Sequence, residues 1–124
     1  MKATIRCFFD AAHQLHDSEH LVTKKCANLH GHTYAVEVEL IGPNVRHGMI
    51  LDFKAVKNIV DEFDHRFLND VFDSRGYQDE TTAENIAIAI KKHILTDYPD
   101  FVDNIMVSVC EGYKGEQNSN WVTV

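Results

Sequence analysis

The chain has 124 residues, 44% of them apolar, and a formal net charge of −7. That length suffices for one domain with its own core, and residues 1–124 show no repeat, low-complexity tract or linker that would divide them. The acidic balance argues against non-specific nucleic-acid binding, which needs a basic footprint, but leaves room for a pocket that takes a small anion. No apolar run approaches the roughly 20 residues of a membrane span. The first residues enter strand-like sequence without a signal-peptide stretch. A cytoplasmic protein with no membrane partner is therefore expected. Cys7, Cys26 and Cys110 form no Cys-x-x-Cys pair and read as thiols rather than a disulfide framework.

In chain order, residues 3–13 read as a strand, followed by a polar loop through Lys25. Residues 30–42 give the clearest strand: Tyr34, Val36, Val38 and Leu40 alternate with Thr33, Glu37 and Glu39. Gly42-Pro43-Asn44 ends it. Asp52 can cap a helix whose stripe holds Phe53, Val56, Ile59, Val60, Phe63 and Phe67. A loop at Ser74-Arg75-Gly76 follows. Thr81 and Glu84 have the offset of a capping box, opening a helix with Ile86, Ile90 and Ile94 on one face, which Pro99 stops. Ile105, Val107 and Val109 alternate as a third strand, and a Gly-rich turn from Gly112 to Asn120 leads to a last one, Trp121 to Val124. The order β-β-α-α-β-β predicts an α+β sandwich: a four-stranded antiparallel sheet with two helices on one face. Its other face needs protection, for which oligomerisation is the natural remedy.

The chemistry begins at His30-Gly31-His32. Residues two apart on a strand project to the same face, so both imidazoles can reach one metal ion. Gly31 points the other way and permits close approach of backbone or ligand. His13, at the end of the preceding strand, falls beside them if the two strands pair antiparallel. Three neutral imidazoles leave one tetrahedral position open, the build of a catalytic zinc site. A His-x-His pair can equally be a plain surface feature of a strand. His16 with His20, in polar loop sequence, and the isolated His47 and His93 are set aside.

Cys26 precedes His30 by four residues. It suits a thiolate base or nucleophile, a fourth zinc ligand that closes the site, or an inert thiol. Asp64 beside His65 suits proton transfer, with a helix C-terminus as the plain alternative. Glu111 continues the apolar row of Ile105, Val107 and Val109. A carboxylate there is either at a wet strand end or an anchor for an amidine-like edge.

Together these segments resemble the 6-pyruvoyltetrahydropterin synthase / 6-carboxytetrahydropterin synthase family. The matching stretches are Phe9-Asp10-Ala11-Ala12-His13, Cys26 through Tyr34, Gly48 through Phe53, Asp64 through Asn69, Thr82-Ala83-Glu84-Asn85 and Glu111. The resemblance implies the tunnelling fold, in which subunits assemble their sheets into a barrel, commonly a hexamer built as a dimer of trimers. It implies zinc on His13, His30 and His32, with Cys26 as the proton-abstracting base. Asp64 and His65 would be a companion pair serving a neighbouring subunit, and Glu111 and Thr82 would bind the pterin. The short gap from Cys26 to His30 resembles the microbial 6-carboxytetrahydropterin synthases of queuosine (7-deazaguanine) biosynthesis. Cys26 itself sets the chain apart from a branch with Glu at that position. The implied reaction converts 7,8-dihydroneopterin triphosphate to 6-carboxy-5,6,7,8-tetrahydropterin, acetaldehyde and triphosphate. Rival readings are triphosphate elimination alone and a non-catalytic zinc- or pterin-binding subunit. Lys24 and Lys25 either attract the triphosphate or are solvated. The stretch from Lys114 to Asn120 matches no motif.

Overall fold

The computed structural model describes residues 1–42, 46–101 and 103–124. Strand β1 (Lys2–His13) and strand β2 (His30–Ile41) pair antiparallel along their whole length, from Lys2 opposite Ile41 to His13 opposite His30. Helix α1 (Phe53–Asp61), a two-residue strand β3 (Arg66–Phe67) and helix α2 (Leu68–Ser74) follow. Then come helix α3 (Ala83–Asp97), strand β4 (Ile105–Glu111) and strand β5 (Trp121–Thr123). The sheet order is β3-β1-β2-β4-β5.

Period-2 alternation places Ile5, Phe9, Val36, Val38, Leu40, Val107 and Val109 on one buried face, each at most 3% exposed. The helices cover that face with Val56, Val60, Ile86, Ile90 and Ile94, all fully buried. The Asp52 carboxylate accepts from the Lys54 N–H at 2.9 Å, the expected cap of α1.

The expected four-stranded antiparallel sheet with two helices is corrected, among the described residues, to five strands and three α-helices. The added strand β3 runs parallel to β1, pairing Ala11 with Arg66 and Ala12 with Phe67. The first helix ends at Asp61, short of the apolar stripe that suggested it. Phe63 lies beyond the helix yet stays fully buried, its ring 5.7 Å from that of Phe9. Phe63→Ala is expected to cost about 3–5 kcal/mol by leaving a cavity, read as a lowered midpoint in urea unfolding. The capping residue of α3 is Thr82, whose hydroxyl accepts from Asn85 N–H at 3.4 Å, one position later than the Thr81–Glu84 offset predicted. Of the turn read at Gly42-Pro43-Asn44, Pro43 and Asn44 lie outside the described residues.

The opposite sheet face carries charge and a partial cover. Arg6 bonds Glu37 at 2.6 Å and Glu116 at 2.6 Å, and Lys2 bonds Glu39 at 3.0 Å. Gly112 has φ 70°, a left-handed conformation that favours glycine and turns the chain back after β4. Tyr113 N–H then donates to the Thr33 carbonyl at 3.0 Å, and its ring sits 5.3 Å from that of Phe8. The segment from Lys114 to Asn120 thus folds over part of the face that the sequence left bare. Phe8 remains 49% exposed.

Candidate metal centre and acid–base groups

His13 and His30 face one another across the β1–β2 ladder, and His32 follows two positions along the same face. Their donor nitrogens all lie within 4.8 Å of one another. Full antiparallel pairing brings residues 17 apart in sequence to adjacent positions, as the expected hairpin requires.

The hydrogen bonds settle which nitrogens face inward. His13 Nδ1–H donates to the Thr81 carbonyl at 2.8 Å, with the Thr81 hydroxyl 3.1 Å away. His30 Nδ1–H donates to the Asn28 carbonyl at 2.6 Å. A carbonyl only accepts, so both Nε2 atoms of the neutral rings carry bare lone pairs. Those two Nε2 atoms stand 3.0 Å apart. Two lone pairs at that distance repel unless a cation or proton lies between them. His32 Nε2 is buried and has no hydrogen-bond partner. Burial is also the largest cause holding His13 and His32 below the ordinary imidazole value of 6.5, so both favour the neutral, ligating form. Ligands on a tetrahedral zinc stand roughly 3.4 Å apart, given zinc–nitrogen bonds of about 2.05 Å. The residues present fit a cation held by three imidazoles.

Thr81, which the sequence reading passed over except as a cap, is 1% exposed and orients His13 through its carbonyl. Such a partner fixes the ring and its tautomer. The Glu111 carboxylate comes to 3.3 Å from His13 Nε2 and 3.8 Å from His32 Nε2, and accepts from the Tyr34 hydroxyl at 3.5 Å. Its side chain is 37% exposed, so it meets the cluster from the wet end of β4. Burial, with Glu111 adding to it, pushes the Tyr34 hydroxyl well above its usual value and keeps it a donor.

Cys26 sits half-buried in a short 3-10 turn, Lys24–Ala27. Its carbonyl accepts from Leu15 N–H at 2.8 Å. Among the described residues, its thiol is not part of the group of donor atoms that the three histidines form. Lys24 is engaged by Asp17 at 2.5 Å and by the Ser18 carbonyl. Thr82 spends its hydroxyl on the α3 cap beside Thr81. Burial pushes the Cys7 thiol up to about 11, in keeping with an inert structural cysteine.

Asp64 and His65 touch, with His65 Nδ1 2.8 Å from Asp64 Oδ2, although adjacent helical residues would diverge. The contact arises because His65 lies outside α1 in a left-handed conformation, φ 56°, an uncommon state for a non-glycine residue. Both are tied to the edge of β1: Asp10 N–H donates to Asp64 Oδ1 at 2.9 Å, and His65 N–H to the Asp10 carbonyl at 2.7 Å. His65 lines a shallow hollow with Asp10, Ala12, Gly31 and Thr33, residues of the face opposite the buried apolar row, and with Ala11 and His32 of the same strands. Within this chain the pair is not brought into the histidine cluster. A Cβ on Gly31 would meet the Ala11 carbonyl at 3.4 Å, an ordinary contact, so packing within the chain does not demand glycine there.

The Asp64 hydrogen bond raises His65 above 6.5, and the Asp10 N–H holds Asp64 below 3.8. The imidazolium therefore persists above pH 6.5 and is lost as pH rises through the raised value. In Asp64→Asn the His65 midpoint, followed by NMR of the ring protons, is expected to fall back toward 6.5. An unchanged midpoint would show that the contact does not set the charge.

The other histidines form no second centre among the described residues. His16 pairs with Glu80, and His93 lies against Glu62 and Asp97.

An α+β chain with three converging imidazoles at the end of a strand pair fits a metal-dependent enzyme. The family model described as 6-pyruvoyl tetrahydropterin synthase matches residues 2–124. The chain belongs to this family of pterin-processing lyases. It is similar to dihydroneopterin monophosphate aldolase of Pyrococcus furiosus, with 35% identity over 98% of this chain and 100% of that one. It is also similar to 6-carboxy-5,6,7,8-tetrahydropterin synthase of Haemophilus influenzae, with 38% identity over 63% of this chain and 59% of the other. Among solved structures, 6-pyruvoyl tetrahydropterin synthase of Caenorhabditis elegans superposes with a TM-score of 0.68 at 26% identity, covering 100% of this chain and 95% of that one. No helix among the described residues is long and apolar enough to cross a membrane.

Proposed function

We propose that the chain is a zinc-dependent 6-carboxy-5,6,7,8-tetrahydropterin synthase acting on 7,8-dihydroneopterin triphosphate in queuosine biosynthesis. The observation that carries this reading is the convergence of His13, His30 and His32, two of them with facing bare nitrogens and the third buried without a partner. Imidazole donors with one position left for substrate suit zinc, which when bound supplies Lewis-acid polarisation of the side-chain oxygens. Glu111, beside the cluster, accepts hydrogen bonds from the amino and ring N–H edge of the pterin and orients its side chain toward the imidazoles. Cys26 takes the proton from the side-chain carbon, and its half-buried seat limits competing water. Asp64 holds His65 in its proton-carrying form on the other sheet face. That placement favours delivery to a neighbouring subunit's substrate in a homo-oligomer, read here as a hexamer built as a dimer of trimers with the sheets closed into a barrel.

A second reading is supported by the full-length likeness to the Pyrococcus furiosus protein. An aldolase acting on dihydroneopterin monophosphate would break the side chain while its phosphate is still attached. The purified, zinc-loaded protein is therefore to be given the triphosphate and the monophosphate separately. Acetaldehyde and free triphosphate from the first substrate are the expected result. Triphosphate without acetaldehyde would point to elimination alone. A phosphorylated two-carbon aldehyde from the monophosphate would favour the aldolase, and inertness toward both would favour a binding subunit.

A further inference from the structure

The segment from Asp64 to Asn69 runs beside residues 10–14 and bonds to them almost continuously. Asp64 and His65 hold the Asp10 backbone, and Arg66 and Phe67 pair with Ala11 and Ala12. At Leu68 the chain turns into α2, so its backbone can no longer follow β1. There the Asn69 side chain takes over. Its Oδ1 accepts from Gln14 N–H at 3.0 Å, and its Nδ2 donates to the Gln14 carbonyl at 2.8 Å. A carboxamide offers one donor and one acceptor side by side, as a strand neighbour would, and extends the β1–β3 ladder past its last backbone pair. Gln14 is an exposed residue between the ligand His13 and Leu15, and the Leu15 N–H donates to the Cys26 carbonyl. Asn69, Ala27 and residues 14–17 enclose a small common hollow.

We infer that Asn69 is a positioning residue: its two-point clamp on Gln14 fixes Leu15 and, through the Leu15–Cys26 hydrogen bond, the seat of the Cys26 thiol. The inference rests on the reading of Cys26 as the base. Besides the clamp, this end of the long loop from Gln14 to Cys26 is held by His13 and by the bonds of His16 to Glu80, neither of which touches the Gln14 backbone.

The test compares Asn69→Ala and Asn69→Asp with the parent. Aspartate keeps the acceptor for Gln14 N–H and is a favourable residue in the first turn of α2, so the helix is preserved. It loses the donor, however, and sets a carboxylate against the Gln14 carbonyl. A misplacement on the order of 1 Å can cost about a hundredfold in rate, so a fall in kcat of at least about tenfold is expected in both variants, with KM within about twofold. Zinc content and thermal midpoint of Asn69→Asp should match the parent. Iodoacetamide should modify Cys26, followed by peptide mass spectrometry, faster in both variants than in the parent. Faster alkylation with unchanged kcat would make the clamp merely structural and overturn the inference. So would a parental alkylation rate, or loss of zinc along with turnover, which would place the effect at His13. A parent chain inert toward both pterins would instead sink the proposed function, and the alkylation comparison would then decide the clamp alone.

Discussion

Cys26→Ala is expected to lower kcat by about a thousandfold and to leave the metal in place. A positioned general base contributes typically 10²- to 10⁴-fold, and no other thiol can substitute: Cys110 is buried and Cys7 is pushed up to about 11 by burial. Retention of zinc follows from the donor group, which the three histidines complete without Cys26. Turnover and metal content measured on the same preparation check both halves. Loss of zinc with the cysteine would make Cys26 a ligand and the site a closed, structural one. Full activity without it would leave the proton transfer to another group.

His32→Ala is expected to have the second large effect, with metal content and turnover falling together. Structural zinc sites bind with about 10–16 kcal/mol, so one of four ligands accounts for roughly 3 kcal/mol, a loss of about a hundredfold or more in affinity. His32 Nε2 has no hydrogen-bond partner to lose, but its ring packs edge-on against His13, His30 and Tyr34. His32→Gln, which keeps much of that volume, is therefore measured beside His32→Ala, and the metal-free His32→Gln chain is expected to unfold near the midpoint of the metal-free parent. Metal competition by protons has a sign as well. Burial lowers His13 and His32 below the ordinary 6.5, so zinc is expected to stay bound under mildly acid conditions and to leave only as falling pH protonates these rings. Dialysis at stepped pH with metal analysis reads this directly.

The strands that build the site were legible because their patterns are local. Tyr34, Val36, Val38 and Leu40 alternate without interruption, and His30 and His32 inherit that period. His13 could be placed with them because two long strands joined by a loop pair end to start. The cap at Asp52 and the stripe of Ile86, Ile90 and Ile94 also follow from short-range rules.

The stretch from Glu62 to Ser74 was not legible, and the reasons are physical. Phe63 and Phe67 continue the spacing of α1, so periodicity alone carries the helix too far. After Asp61 the helix gives way to tight turns, and a left-handed His65, held by the Asp10 carbonyl, turns the chain onto β1, a tertiary contact with no sequence signature. A two-residue strand such as β3 has no period to detect. Thr81 illustrates the same limit. Its neighbour Thr82 caps the helix, and Thr81 is buried against His13, 68 residues away in the chain. The offset to Glu84 suggested a cap where the fold uses a support for the His13 ring. A Thr82-Ala83-Glu84-Asn85 stretch in which Asn85 N–H meets the Thr82 hydroxyl was the available clue.

X-ray absorption at the zinc edge of the purified protein is the most direct measurement. Three imidazole nitrogens at about 2.0–2.1 Å with one further light ligand, and no sulfur near 2.3 Å, is the expected shell. A sulfur neighbour, or a protein that takes up no zinc at all, would contradict an open centre made by His13, His30 and His32.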